Sequence, residues 1–210
     1  MPTVSRLLPD RRTPGGVVVE LDGARFATLP VEVARGLGLR AGHRLDQAGV
    51  TRLRDAAEME AAHRVATRLL AVRAHSEFEL GRKLRERGHA AEVIRPALGR
   101  LRRAGVLDDL AFSRQFAASR LARGHGPARI LADLSFRGVD RRTAERAVDE
   151  VGRDEGVQAG DMVRRLIERR APSVRGLPAQ VQLRRLLAFL ARRGFHGRQV
   201  RRLVEGALVH

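Results

Sequence analysis

The stretch LGRKLRERG, Leu80 to Gly88, returns twice along the chain as ILADLSFRG (130–138) and LLAFLARRG (186–194). Each copy ends in an Arg-Gly pair. Four and eight residues before the glycine stand Leu84 and Leu80, Leu134 and Ile130, Leu190 and Leu186. Six and ten residues after it stand Ile94 and Leu98, Ala144 and Val148, Val200 and Val204. Four residues make about one helical turn, so the first pair marks a face of one helix and the second a face of the next. The glycine suits the residue just past a helix end, where left-handed backbone penalises a Cβ. Another helix is expected ahead of each pair, at Ala61–Val72, Leu110–Leu121 and Met162–Arg170. Such recurrence is an internal repeat of three-helix units.

The expected fold is therefore mainly α, with three tandem three-helix repeats (60–107, 108–152 and 153–210) stacked into a curved, elongated body, since one repeat cannot bury its own outer faces. The third repeat is six residues longer; Pro172–Gln180, containing Gly176-Leu177-Pro178, reads as the extra loop. Residues 1–59 read differently. Val17–Leu21 and Arg25–Leu29 flank Asp22-Gly23, a β-hairpin by turn chemistry. Pro30 suits the first turn of a helix through Leu37, Gly38 suits its end, and 46–57 fits another short helix. This is a small α+β module.

Composition narrows the function. Seven Phe are the only aromatic residues, so the core must be aliphatic and base stacking has few platforms. The absence of Cys excludes disulfides and thiolate metal sites. No run approaches the roughly 18 apolar residues of a membrane span, and the N-terminus lacks a signal-peptide pattern; a cytoplasmic protein without membrane contact is expected. His43, His63, His75, His89, His125, His196 and His210 make no zinc signature, and neither metal nor cofactor is expected.

The formal net charge is +17, from 41 basic and 24 acidic residues, and Lys83 is the only lysine. Residues 61–107 carry eleven basic and four acidic side chains, and 153–210 thirteen and five, whereas the rest nearly balances. Two basic blocks suit a long polyanion or an acidic protein surface. The alternative is a solvated basic surface with no nucleic-acid partner. The candidate binding residues are Arg82, Lys83, Arg85, Arg87, Arg100, Arg102 and Arg103 in the first block. Arg129, Arg184, Arg185, Arg192, Arg193, Arg198, Arg201 and Arg202 complete the set.

Other motifs read as structure. Ser76-Glu77-Phe78-Glu79 has the form of a capping box. Asp108 and Asp109 precede Leu110, Phe112 and Phe116, where acids accept backbone N–H groups and favour the positive end of the helix dipole. A catalytic or metal-binding pair would need further carboxylates or histidines nearby, and the stretch supplies none. Gly124-His125-Gly126-Pro127, with Arg129, could hold an anion at a helix start, but it matches no phosphate-loop pattern and fits a turn with proline at the first helical position. Gly88, Gly138 and Gly194 are the expected helix ends.

Four elements in order, SEFELGRKLRERG (76–88), GVLDDLAFSRQF (105–116), GPARILADLSFRGV (126–139) and RRLLAFLARRGF (184–195), resemble the bacterial RecX family across residues 60–208. Ala74-His75, where a basic or proline-containing turn is common, and the lack of Tyr depart from its pattern. The resemblance implies a non-enzymatic regulator that binds the RecA recombinase in the groove of its DNA filament; a monomer is expected. It would thereby limit filament growth or ATP hydrolysis, strand exchange and the co-protease activity that triggers the SOS response. Single- and double-stranded DNA would be met through the basic patches. An architectural or transcriptional nucleic-acid-binding protein, independent of RecA, is the alternative.

Overall fold

The computed structural model describes residues 1–154 and 159–208; His210 lies outside the described residues. The chain forms two compact units. One comprises Met1–His75 with Leu80–Leu107, the other Ser76–Glu79 with the chain from Asp108 onward.

The first unit opens with an antiparallel sheet of order β1 (Val4–Pro9), β2 (Gly16–Leu21) and β3 (Ala24–Pro30). The expected hairpin is β2–β3. Asp22 (φ 48°) and Gly23 (φ 83°) both take positive φ, as a two-residue turn that matches the strands' twist requires. Strand β1 was not anticipated. Only Val4 of its residues is buried, so the segment has no apolar alternation, and its pairing to β2 fixes it as a strand. After the short α1 (Val31–Gly36), helix α2 runs unbroken over Gln47–Val72, where separate helices at 46–57 and Ala61–Val72 were expected. Beyond Gly49 this span holds neither Gly nor Pro, and Ala56–Ala62 is made of strong helix formers, so nothing stops the helix. Asp46 starts it by accepting from the Gly49 N–H at 2.6 Å. Leu53 joins Val4, Val19 and Leu29 in the core under the sheet. Farther along, Ala62 and Ala66 pack with Leu80 and Leu84 of α3 (Glu77–Arg85) and with Ala97 and Leu98 of α4 (Ala91–Arg103).

The second unit contains α5 (Asp109–Ala122), α6 (Pro127–Phe136), α7 (Arg141–Asp154), α8 (Ala159–Arg170), α9 (Ala179–Arg192) and α10 (Arg198–Leu208), with a 3-10 turn at Ala171–Ser173. Helices α5 and α6 both pack on α7, and α10 packs on α8 and α9. Arg114 of α5 and Arg146 of α7 converge on Glu150, donating at 2.6 and 2.8 Å. Those two bonds hold the Glu150 carboxyl below its usual range.

The repeat phase governs burial. Leu80, Leu84, Ile130, Leu134, Leu186 and Leu190 are all fully buried. Ile94, Leu98, Ala144, Val148 and Val204 are buried too, and Val200 packs partly buried against the last core. Gly88, Gly138 and Gly194 take φ of 83°, 73° and 88°. In each case the residue after the glycine donates to the carbonyl of the leucine four before it: His89 to Leu84 (3.2 Å), Val139 to Leu134 (3.2 Å) and Phe195 to Leu190 (3.0 Å). One leucine thus buries its side chain and satisfies its terminal carbonyl.

Two of these glycines are also joints. The Ser76 hydroxyl donates to the Arg137 carbonyl at 2.6 Å, and a Cβ on Gly138 would stand 2.3 Å from Phe78 Cγ. Further on, the Gly126 N–H donates to the Arg193 carbonyl at 2.6 Å, and a Cβ on Gly194 would stand 2.4 Å from the Arg129 nitrogen. Ser76 and Gly126 occupy the same place, each twelve residues before its own segment's glycine, so the two joints are equivalent. At Gly88 a Cβ would meet nothing within 4 Å. Alanine at any of the three should cost about 1–2 kcal/mol of left-handed strain. Gly138→Ala and Gly194→Ala should cost clearly more than Gly88→Ala, because overlap is added. Urea denaturation measures the difference, and equal losses would contradict the joints.

Candidate functional site

The acidic pair divides its work. Asp108 is the N-cap of α5, its carboxylate accepting from the Leu110 and Ala111 N–H groups at 2.8 and 3.2 Å. Asp109 does not cap the same helix. As the first residue of α5 it turns to the start of α3 and accepts from the Glu77 N–H at 2.8 Å. Burial raises the Asp109 carboxyl above its ordinary pKa, partly offset by the Glu77 N–H and reinforced by neighbouring carboxylates. Ser76 Oγ accepts from the Glu79 N–H at 3.1 Å, and the Glu79 carboxylate lies 3.5 Å from the Arg137 guanidinium.

Several arginines are structural. Arg137 stacks over Phe116 at 4.5 Å, and Arg120 lies over the same ring at 4.9 Å. In the equivalent place Arg193 stacks over Phe189 at 4.9 Å and reaches the carbonyls of Arg123 and Gly124. Arg100 pairs with Glu60, which is buried in the first unit. Arg129 pairs with Asp133 at 3.1 Å but stays exposed to solvent. The turn around Gly126 commits its N–H to Arg193, with Pro127 at the helix start, and so serves the joint.

The remaining candidates face solvent. In the first unit these are Arg82, Arg85, Arg87, Arg102 and Arg103, with Lys83 half-buried. Arg82 has only an exposed partner, Glu86 at 3.6 Å, a pairing worth little in water. In the second unit Arg184, Arg185 and Arg192 of α9 and Arg198, Arg201 and Arg202 of α10 are exposed. Of these six, Arg201 alone has an acidic partner among the described residues, Glu205 at 2.7 Å. Sequence reasoning missed Arg165 and Arg169 of α8, also exposed, although their four-residue spacing signals one helix face. It missed Phe136 as well, 80% exposed in the last turn of α6. Among the described residues no group of three His, Asp or Glu gathers to hold a metal ion, and no helix is long and apolar enough to cross a membrane.

Tandem three-helix domains with arginine-rich exposed surfaces define a helical-repeat protein built around surfaces. The first and second three-helix domains of RecX match residues 62–101 and 108–148. The chain is 40% identical over 152 residues to the regulatory protein RecX of Halorhodospira halophila, covering 72% of this chain and 91% of that protein. With the RecX of Pseudomonas fluorescens strain SBW25 the figures are 37% over 146 residues, 70% and 91%. A crystal structure of a regulatory protein RecX shares the fold with a TM-score of 0.82 at 18% identity, over 98% of this chain and all of the other. RecX from Lactobacillus salivarius gives 0.63 at 16% identity, over 73% and 98%. The chain belongs to the RecX family.

Two variants separate structure from surface. Arg100→Ala leaves Glu60 buried without its partner and should cost about 3–5 kcal/mol in urea denaturation. A loss below 1 kcal/mol would return Arg100 to the binding surface. Asp109→Asn keeps an oxygen for the Glu77 N–H but carries no charge. A raised folded pKa means that ionising Asp109 opposes folding, so its adverse effect grows as pH rises through that pKa and vanishes below the unfolded value. Asp109→Asn should therefore be at least as stable as the parent at pH 7, with the gap closing towards acid pH. A gap that widens in acid would reverse the sign.

Proposed function

We propose that this chain is a non-enzymatic, cytoplasmic regulator that binds the RecA recombinase on its DNA filament and inhibits RecA ATP hydrolysis, strand exchange and co-protease activity. Membership of the RecX family carries this reading. Exposed arginines on α3, α4, α9 and α10 are its chemical complement. A nucleoprotein filament presents phosphates and acidic protein side chains together, and guanidinium groups pair with both.

The test is RecA ATPase on single-stranded DNA with this protein added below RecA's concentration. The expected result is a dose-dependent fall. Reversing Arg184, Arg185, Arg198 and Arg202 to Glu should weaken inhibition by about tenfold or more and flatten its salt dependence, as lost phosphate contacts release fewer counterions. Unchanged ATPase with folded protein would sink the proposal. The net charge of +17 favours one other reading, a nucleic-acid-binding protein that acts without RecA. DNA binding with a steep salt slope and no effect on RecA would support that instead.

A further inference from the structure

The first unit contains a cleft of about 530 Å³ that no part of the RecA reading uses. It lies between the loop joining β1 to β2, the end of β3, and α2, with Arg100 of α4 at its edge. Four guanidinium groups line it, from Arg12, Arg64, Arg68 and Arg100, against one carboxylate, Glu60. Glu60 is buried and already paired with Arg100. Arg64 is held on the wall by donating to the Thr28 carbonyl at 2.8 Å, which leaves its remaining N–H groups for other acceptors. Arg12 and Arg68 are exposed, and among the described residues neither side chain has a hydrogen-bond or ion-pair partner. The acid closest to Arg12 in sequence, Asp10, accepts from the Arg12 backbone N–H and lies 4.0 Å from Arg25.

The geometry points to a phosphate-binding cleft, formed by Arg12, Arg64 and Arg68 where the N-terminal module meets α2. Concave walls concentrate the field of like charges, and guanidinium groups match phosphate oxygens in pairs. On the same wall, burial lowers the pKa of His63, and Arg100 and Arg64 lower it further against an opposing effect of Glu60. No Phe lines the cleft and its four guanidinium groups outnumber its one imidazole, so the ligand is recognised chiefly by its phosphates. Those phosphates could belong to a nucleic-acid backbone or to a free polyphosphate compound.

Titration calorimetry with inorganic tripolyphosphate, on the full chain, tests the cleft. Arg12→Ala combined with Arg68→Ala removes two side chains that have no partner among the described residues. Arg40→Ala combined with Arg54→Ala removes the same charge from exposed positions of the first unit that do not line the cleft. The expected result is one saturable site, weakened at least tenfold by the first pair and less than twofold by the second. Equal weakening by both pairs, or by neither, would overturn the proposal by assigning binding to diffuse charge. An oligothymidylate titration then identifies the source. Loss in the Arg12/Arg68 variant means nucleic-acid backbone; unchanged oligonucleotide binding with lost tripolyphosphate binding means a free polyphosphate. RecA ATPase inhibition is read separately, so failure of the cleft and failure of the RecA proposal are distinguishable.

Discussion

The second unit depends on glycine at positions where a helix ends and another helix start arrives. Gly138 and Gly194 have to supply left-handed backbone for their helix ends, and they also have to lack a side chain where Phe78 and Arg129 approach. The left-handed backbone alone would admit asparagine, but the close approach leaves no room for a Cβ, so together they leave glycine. The carbonyl just before each glycine, of Arg137 and Arg193, would otherwise be an orphan of the helix end, and it receives a donor from the arriving segment. Capping and packing are thereby one event.

The arginine of each Arg-Gly pair follows from the same geometry. Arg137 and Arg193 cover Phe116 and Phe189 beside the joints, and Arg193 satisfies two further carbonyls. Arg87, whose glycine has no such neighbour, lies exposed and donates to the Lys83 carbonyl. Net charge is therefore a poor guide to which arginines are free. Arginine suits both tasks: its planar group stacks on rings and forks onto carbonyls, yet stays charged on the surface.

The helical part was legible because its signal is local. Leucines one turn apart and a glycine at each helix end mark both the elements and their buried faces without reference to distant residues. The acidic pair was legible only in part. Asp108 caps its own helix as its position implies, whereas Asp109 serves a helix start 32 residues away in the chain, which local spacing cannot report. Strand β1 and the unbroken α2 escaped for the same reason in opposite senses: one is made by a partner, the other by the absence of any stop. The binding surface was legible as charge but not as exposure. Arg100 and Arg193 are engaged by Glu60 and the Phe189 ring, while Arg129, although paired with Asp133, is exposed, as are Arg165 and Arg169.

The proposed inhibition of RecA makes filament length the quantity most directly at stake. Electron microscopy of RecA on circular single-stranded DNA, with ATP and this protein below stoichiometry, measures it. Shortened or sparse filaments, restored towards full length by the charge-reversed variant, are the predicted result. A length distribution unchanged at saturating, folded protein would contradict the central claim.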